Sequence, residues 1–188
     1  MAEILLFHHA QGLTDGVKKF ADELRAGGHE VHSPDLLEGK TFTDINEAVA
    51  HVRAVGFEEI AERARREAAA LPQALVYAGM SMGVGGAQEL AQTRPGAKGA
   101  LLMFGALPAS EFGPWPKGVP VQIHAMEDDP WFKEDIEAAR GIAREVDGAE
   151  LFLYPGDKHL FADSSLPDYD ESAARLLMQR VLGFLSKI

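Results

Sequence analysis

The chain has no cysteine in its 188 residues. That excludes disulfides, thiolate metal centres and a cysteine nucleophile. Cationic residues are few: 18 Lys and Arg stand against 29 Asp and Glu, for a formal net charge of −11. Nucleic acid and anionic membrane are held by Lys and Arg clusters, and none occurs here, so neither is an expected partner. Long apolar runs are also missing. The opening "MAEILLFHHAQG" has only four strongly apolar residues in a row and no basic leader. That falls short of a signal peptide or a membrane span, and a cytoplasmic protein is the expectation. No linker, internal repeat or low-complexity segment is visible. The length fits one domain, 1–188, which buries roughly 70% of the surface of its unfolded chain and needs no covalent staple.

What is present is an alternation of short apolar runs with helical patterns. "EILLFH" (3–8) reads as a buried strand. "DGVKKFADELRAGG" (15–28) reads as an amphipathic helix with Val17, Phe20, Ala21 and Leu24 on one face and a glycine stop. "EVHSPDLL" (30–37) holds a short strand, and residues 43–72 read as mostly helical with a break or bend at Gly56. Further strands are expected at 74–79, 98–105, 119–125 and 149–156, and helices from about 80 to 93, at 133–146 and at 170–187. Continuous apolar strands alternating with helices predict an α/β fold: one three-layer domain whose mostly parallel sheet of about six strands carries helices on both faces.

Within "YAGMSMGVGG" (77–86), the segment Gly79-Met80-Ser81-Met82-Gly83 matches G-x-S-x-G. A strand that turns sharply into a helix leaves the serine hydroxyl exposed on a strained backbone, and glycines two residues to either side avoid collision. The helix N-terminus then offers free N–H groups to a developing oxyanion, with Met82 the expected donor. A rival reading treats Gly79, Gly83 and Gly85 as a dinucleotide-binding turn, with Tyr154 and Lys158 as a Y-x-x-x-K pair. Two facts count against this alternative, a short-chain-dehydrogenase-like NAD(P) enzyme. Pro155-Gly156 prevents the helix that such a pair needs. The turn also follows the third strand and not the first. No cofactor is expected.

A nucleophilic serine requires a histidine to take its proton and a carboxylate to orient that histidine. His159 is the histidine that follows a strand near the C-terminus, in "YPGDKHLF". The acid follows the preceding strand, in "PVQIHAMEDDPWF", where Glu127, Asp128 and Asp129 compete. Asp129 lies three residues past the turn at Met126 and before Pro130; Asp128 is the alternative. A second oxyanion N–H comes from "FHHAQGL" (7–13), from Ala10 or Gln11. His8 and His9 are adjacent, point to opposite sides of their strand and cannot easily share an ion, so no metal is expected. All these pieces end parallel strands and share one sheet edge, where ligands bind. Phe42, Met82, Phe112, Trp115, Met126, Trp131 and Phe132 are candidates for an apolar wall, and the proline-rich loop around Trp115 is a candidate lid.

The stretches "LLFHHAQGLTDGVKKFADELRAGGHEVHSPDLLEGKTF", "AGMSMGVGGAQELA", "VPVQIHAMEDDPWF" and "YPGDKHLFAD…LPDYDESAARLLMQRVLGFL" resemble the dienelactone hydrolase family of α/β-hydrolases over nearly the whole chain. The resemblance implies an α/β-hydrolase fold and ester or lactone hydrolysis by Ser81, His159 and Asp129, with Asp129 in the family's acid position. Three positions depart from it. Ser81 stands in place of the cysteine of the best-known members, His9 in place of a glutamate that helps activate it, and Asp163 in place of an arginine that holds a substrate carboxylate. A repelling charge at Asp163 points away from dienelactone itself. The expectation is a serine esterase or lactonase, monomeric or homodimeric, acting on a small ester or lactone, with His9, Gln11, Trp115 and Trp131 as substrate-contact candidates. The competing class is a non-catalytic small-molecule-binding relative.

Overall fold

The computed structural model describes all residues, 1–188. Alternating side chains along the short strands explain its layers. In β1 (Glu3–Phe7), Leu5 and Phe7 face one side while Ile4 and Leu6 face the other. The same split recurs in β3 (Val76–Met80), where Tyr77 opposes Val76 and Ala78. It recurs again in β4 (Gly99–Met103), where Ala100 and Leu102 oppose Leu101 and Met103. Both faces of these strands are therefore apolar, and both must be covered.

Helices α1 (Asp15–Ala26) and α6 (Glu171–Leu185) cover one face with Val17, Phe20, Leu24, Val181 and Phe184. The other face takes α2 (Ile45–Val55), α3 (Phe57–Ala69), α4 (Gly83–Thr93) and α5 (Ile136–Glu145), through residues such as Val52, Ile60, Leu90 and Ile142. Thr14, Asp44 and Asp170 cap α1, α2 and α6 by accepting a backbone N–H from the first turn. The helical pattern at 43–72 resolves into two helices that meet at Gly56, whose φ of 96° a side chain would strain.

The sheet is wholly parallel, with strand order β2 (Glu30–His32), β1, β3, β4, β5 (Val121–Met126), β6 (Ala149–Tyr154). The chain first steps outward from β1 to β2, then crosses back to β3 on the other side of β1. The crevice beyond the C-terminal ends of β1 and β3 is thus a topological switch point, where open α/β sheets place their sites. Register aligns those ends: Phe7 pairs with Gly79, Met80 with Met103, and Met103 with His124. No helix is long and apolar enough to cross a membrane.

Candidate active site

Ser81 leaves β3 with a φ of 48°, a left-handed value that a side chain adopts only when its surroundings impose it. The constraints are visible. The Ser81 amide donates to Met103 O at 2.7 Å, extending the sheet by one bond, and the Val84 amide donates back to Ser81 O at 2.9 Å as α4 begins. The flanking glycines have no room for a side chain. A Cβ on Gly79 would strike the Gly83 carbonyl, and a Cβ on Gly83 would overlap the Phe7 carbonyl and lie 2.8 Å from His8 O. Gly86 packs against the Ala64 methyl group and the Phe7 ring, whereas Gly85 faces open space.

Ser81 Oγ lies 2.8 Å from His159 Nε2, and His159 Nδ1 lies 2.6 Å from Asp129 Oδ2. Asp129 is an obligate acceptor as a carboxylate, so Nδ1 carries the proton and Nε2 is free to accept from the serine hydroxyl. The second oxygen, Oδ1, accepts the Trp131 amide at 2.9 Å, which fixes the carboxylate's rotation. Asp129 and His159 are buried, while Glu127 and Asp128 are exposed. The competition among the three acids is decided by direction: the turn after Met126 sends the first two outward and only Asp129 back toward His159. The amides of Met82 and Ala10, in the turns that follow β3 and β1, make no hydrogen bond within the protein. Both residues line the same cavity as Ser81.

That cavity has a volume of about 330 Å³. Its walls include Val49, Val52 and Phe57 from α2 and α3, and Phe104 after β4. Phe104, at a φ of 66°, presents its ring edge to His159 with 6.1 Å between centroids. The Trp131 ring is tilted against the imidazole, with 5.9 Å between centroids. Arg53 and Asp135 also line it.

The remaining candidates have other work. His9 is buried and sits on Asp163 at 2.8 Å, so it does not contact a ligand in the cavity. Gln11 donates to the carbonyls of Phe42 and Thr43 at 3.0 and 3.1 Å and pins the following loop. Trp115 donates to Val119 O at 2.7 Å and borders a separate depression with Pro114 and Val146, so its loop does not cover Ser81. Phe132 and Met126 are buried in the core. Of the four substrate-contact candidates only Trp131 reaches the cavity, because the other three side chains are spent on internal bonds. The helix α2 wall went unread because Val49 and Val52 look like ordinary core positions of an amphipathic helix. Phe57, 63% exposed just after the Gly56 break, is the one residue there with a sequence signal.

Asp163 also differs from expectation. Its carboxylate does not face a ligand. It is buried, accepting from His9, from Thr14 Oγ1 at 2.5 Å, and from the amide and hydroxyl of Ser165 at 2.8 and 2.6 Å. Burial raises its pKa, but the bonds from His9, Ser165 and Thr14 outweigh that and bring it to about 2. A histidine and an aspartate, bonded to each other, thus stand at the two positions where the resemblance implied a glutamate and an arginine. Tyr154 and Lys158 are likewise separate: the tyrosine hydroxyl meets His124 Nδ1 at 2.9 Å and the lysine ammonium donates to Tyr169 O at 3.2 Å.

His8 anchors the same region. Its Nε2 accepts the Leu36 amide at 2.9 Å, so Nδ1 carries the proton and donates to His9 O at 2.7 Å. Burial holds its pKa down to about 4, and that of the enclosed His124 to about 3. Both are neutral when folded and take up protons near pH 6.5 when unfolded, so stability is full above that pH and falls as acid is added. At pH 4.5 the loss is on the order of 2 kcal/mol for each histidine. Asp163 adds a further loss only below about pH 4, its ordinary carboxylate range. Denaturant midpoints measured from pH 7 downward should decline before the carboxylates titrate; a flat profile to pH 4 contradicts neutral burial of the two rings.

The sequence matches the family model described as the dienelactone hydrolase family over residues 1–188. The chain belongs to the dienelactone hydrolase family. Solved structures similar to this family member include a candidate dienelactone hydrolase from Klebsiella pneumoniae subsp. pneumoniae MGH 78578, with a TM-score of 0.78 and 19% identity, covering 100% of this chain and 88% of that one. A dienelactone-hydrolase-like promiscuous phosphotriesterase from metagenomic libraries gives 0.76 and 18%, covering 100% and 86%. Esterase 2 of Thermogutta terrifontis, solved phosphoramylated by tabun, gives 0.61 and 17%, covering 99% and 83%. A search of curated proteins by sequence finds no match. The neighbours share the α/β-hydrolase fold, and the family is one of hydrolases.

Proposed function

We propose that this family member is a serine hydrolase of small carboxylic esters or lactones. The observation that carries the reading is the chain of two bonds from Ser81 Oγ through the His159 ring to Asp129, at 2.8 and 2.6 Å. His159 Nε2 takes the serine proton as Oγ attacks the carbonyl carbon. The carbonyl oxygen becomes an oxyanion held by the Met82 and Ala10 amides, each such donor being worth about 100- to 1000-fold in rate. Asp129 stabilises the imidazolium, which then protonates the leaving alkoxide. A water activated by the same imidazole attacks the acyl-serine, and Ser81 recovers its proton.

The carbon-ester assignment rests on the cavity as well: largely apolar walls suit a short acyl group, and two free amides suit one oxyanion. A fluorophosphonate probe tests the nucleophile directly. Folded protein should become labelled on Ser81 alone. Labelling elsewhere, or none, favours the binding-only relative.

A further inference from the structure

A second carboxyl group opens into the cavity beside Ser81. Asp135 follows Asp129 by six residues and directly precedes α5. An aspartate at that position ordinarily accepts an N–H from the helix's first turn, a cap worth about 1 kcal/mol. Asp135 makes no such bond. Its side chain turns toward the cavity, where Oδ2 accepts the Ala106 amide at 3.2 Å and Oδ1 accepts nothing from the protein. A point at the Cβ position of Gly105 would lie 3.4 Å from Oδ2 and 3.6 Å from Ser81 O, so the carboxylate and the elbow flank the same spot. The group is half-buried. Burial raises its pKa, the Ala106 amide works against that, and the neighbouring Glu134 and Asp129 carboxylates raise it while His159 lowers it.

Three aromatic rings share the cavity with it: Phe57, Phe104 and Trp131. A carboxylate acceptor with aromatic faces nearby is the chemistry that receives an organic ammonium ion. Arg53 is the one cation on the walls, and it is exposed, where water and salt screen its pull on an anion. The half-buried carboxylate acts through a lower dielectric and outweighs it. The negative charge that the sequence assigned to Asp163 is therefore supplied to the cavity from another element.

We propose that Asp135 determines specificity, its free Oδ1 receiving an ammonium group on the substrate, so that the site takes cationic esters and rejects anionic ones. The proposal rests on the ester-hydrolase reading of Ser81 and deepens it. Three 4-nitrophenyl esters of matched length test it: butyrate, 4-(trimethylammonio)butyrate and hydrogen glutarate. The ratio of kcat/KM for the cationic over the anionic ester should be roughly tenfold or more in the natural protein, as two like or unlike charges at close range imply. Asp135→Asn keeps an acceptor for the Ala106 amide and should bring the ratio close to that expected of an uncharged site. Asp135→Glu should restore part of it. A ratio that Asp135→Asn leaves unchanged overturns the proposal, and a uniform loss of activity cannot mimic the change.

A binding measurement separates this from failure of the hydrolase reading. In Ser81→Ala protein, butyltrimethylammonium should quench Trp131 fluorescence, and the quenching should weaken at least severalfold when Asp135→Asn is added. If no ester is turned over but this dependence holds, the hydrolase reading falls and the cation site stands. If the esters are turned over without charge preference, or binding ignores Asp135, the cation site falls alone.

Discussion

Ser81→Ala should lower kcat/KM for an activated ester such as 4-nitrophenyl acetate by roughly 10,000-fold or more, the loss typical when a serine nucleophile is deleted. The remainder is rate that a cavity and an oxyanion hole supply without a nucleophile. Substrate affinity should change little, since Ala10, Val52, Phe104 and Trp131 still line the cavity. The fold should persist as well: the bonds that hold the elbow, from the Ser81 amide to Met103 O and from the Val84 amide to Ser81 O, are made by backbone. His159→Ala should cost about as much, and the double variant little more, because the two side chains act as one unit. Steady-state kinetics with active-site titration measures all three. Undiminished turnover in Ser81→Ala removes the mechanism.

Gly83→Ala should be among the most damaging single-methyl changes in the chain. The added Cβ would overlap the Phe7 carbonyl at the end of β1 and come within 2.8 Å of His8 O. Both neighbours are backbone, so no side chain can rotate away. Either α4 lifts off the sheet or the end of β1 moves. We expect a loss of about 3 kcal/mol or more, at the upper end for overpacking of a tight contact. Activity should fall further than stability, because the displaced strand carries the Ala10 amide and the displaced helix the Met82 amide. The two amides proposed to hold the oxyanion would lose their common focus. Thermal unfolding and kcat/KM on the folded fraction check this together. Gly85→Ala is the control: a Cβ there meets nothing within 4 Å. A helix interior also favours alanine over glycine by about 1 kcal/mol, so this variant should be neutral or slightly more stable.

The candidate site was partly legible because the groups proposed to react are tied to local signals. Gly79 and Gly83 mark a turn that only glycine permits, and Asp129 and His159 each follow an apolar run at a strand end. The two rival acids were not separable by sequence: Glu127, Asp128 and Asp129 are consecutive, and a single turn decides which one faces inward. Trp115 illustrates the opposite failure. An aromatic residue in a proline-rich loop suggests a lid, but its indole N–H is satisfied by Val119 O, four residues along the chain.

The alternation of apolar strands and amphipathic helices, the break at Gly56, the elbow and the order of serine, acid and histidine were all determined by the sequence alone. The periodic elements, the break and the elbow each depend on residues within a few positions of one another, where the periods of strand and helix constrain the chain directly, and the order of serine, acid and histidine follows the order of the strands they end. Tertiary structure alone decided what surrounds the serine. His9 meets Asp163 across 154 positions, which holds both side chains away from the cavity. Asp135 forgoes its helix cap and turns into the cavity, while α2 and α3 supply one wall. Such encounters have no period and no fixed spacing. They arise where separate strand ends and helices converge on one edge, and only the packed sheet brings them there.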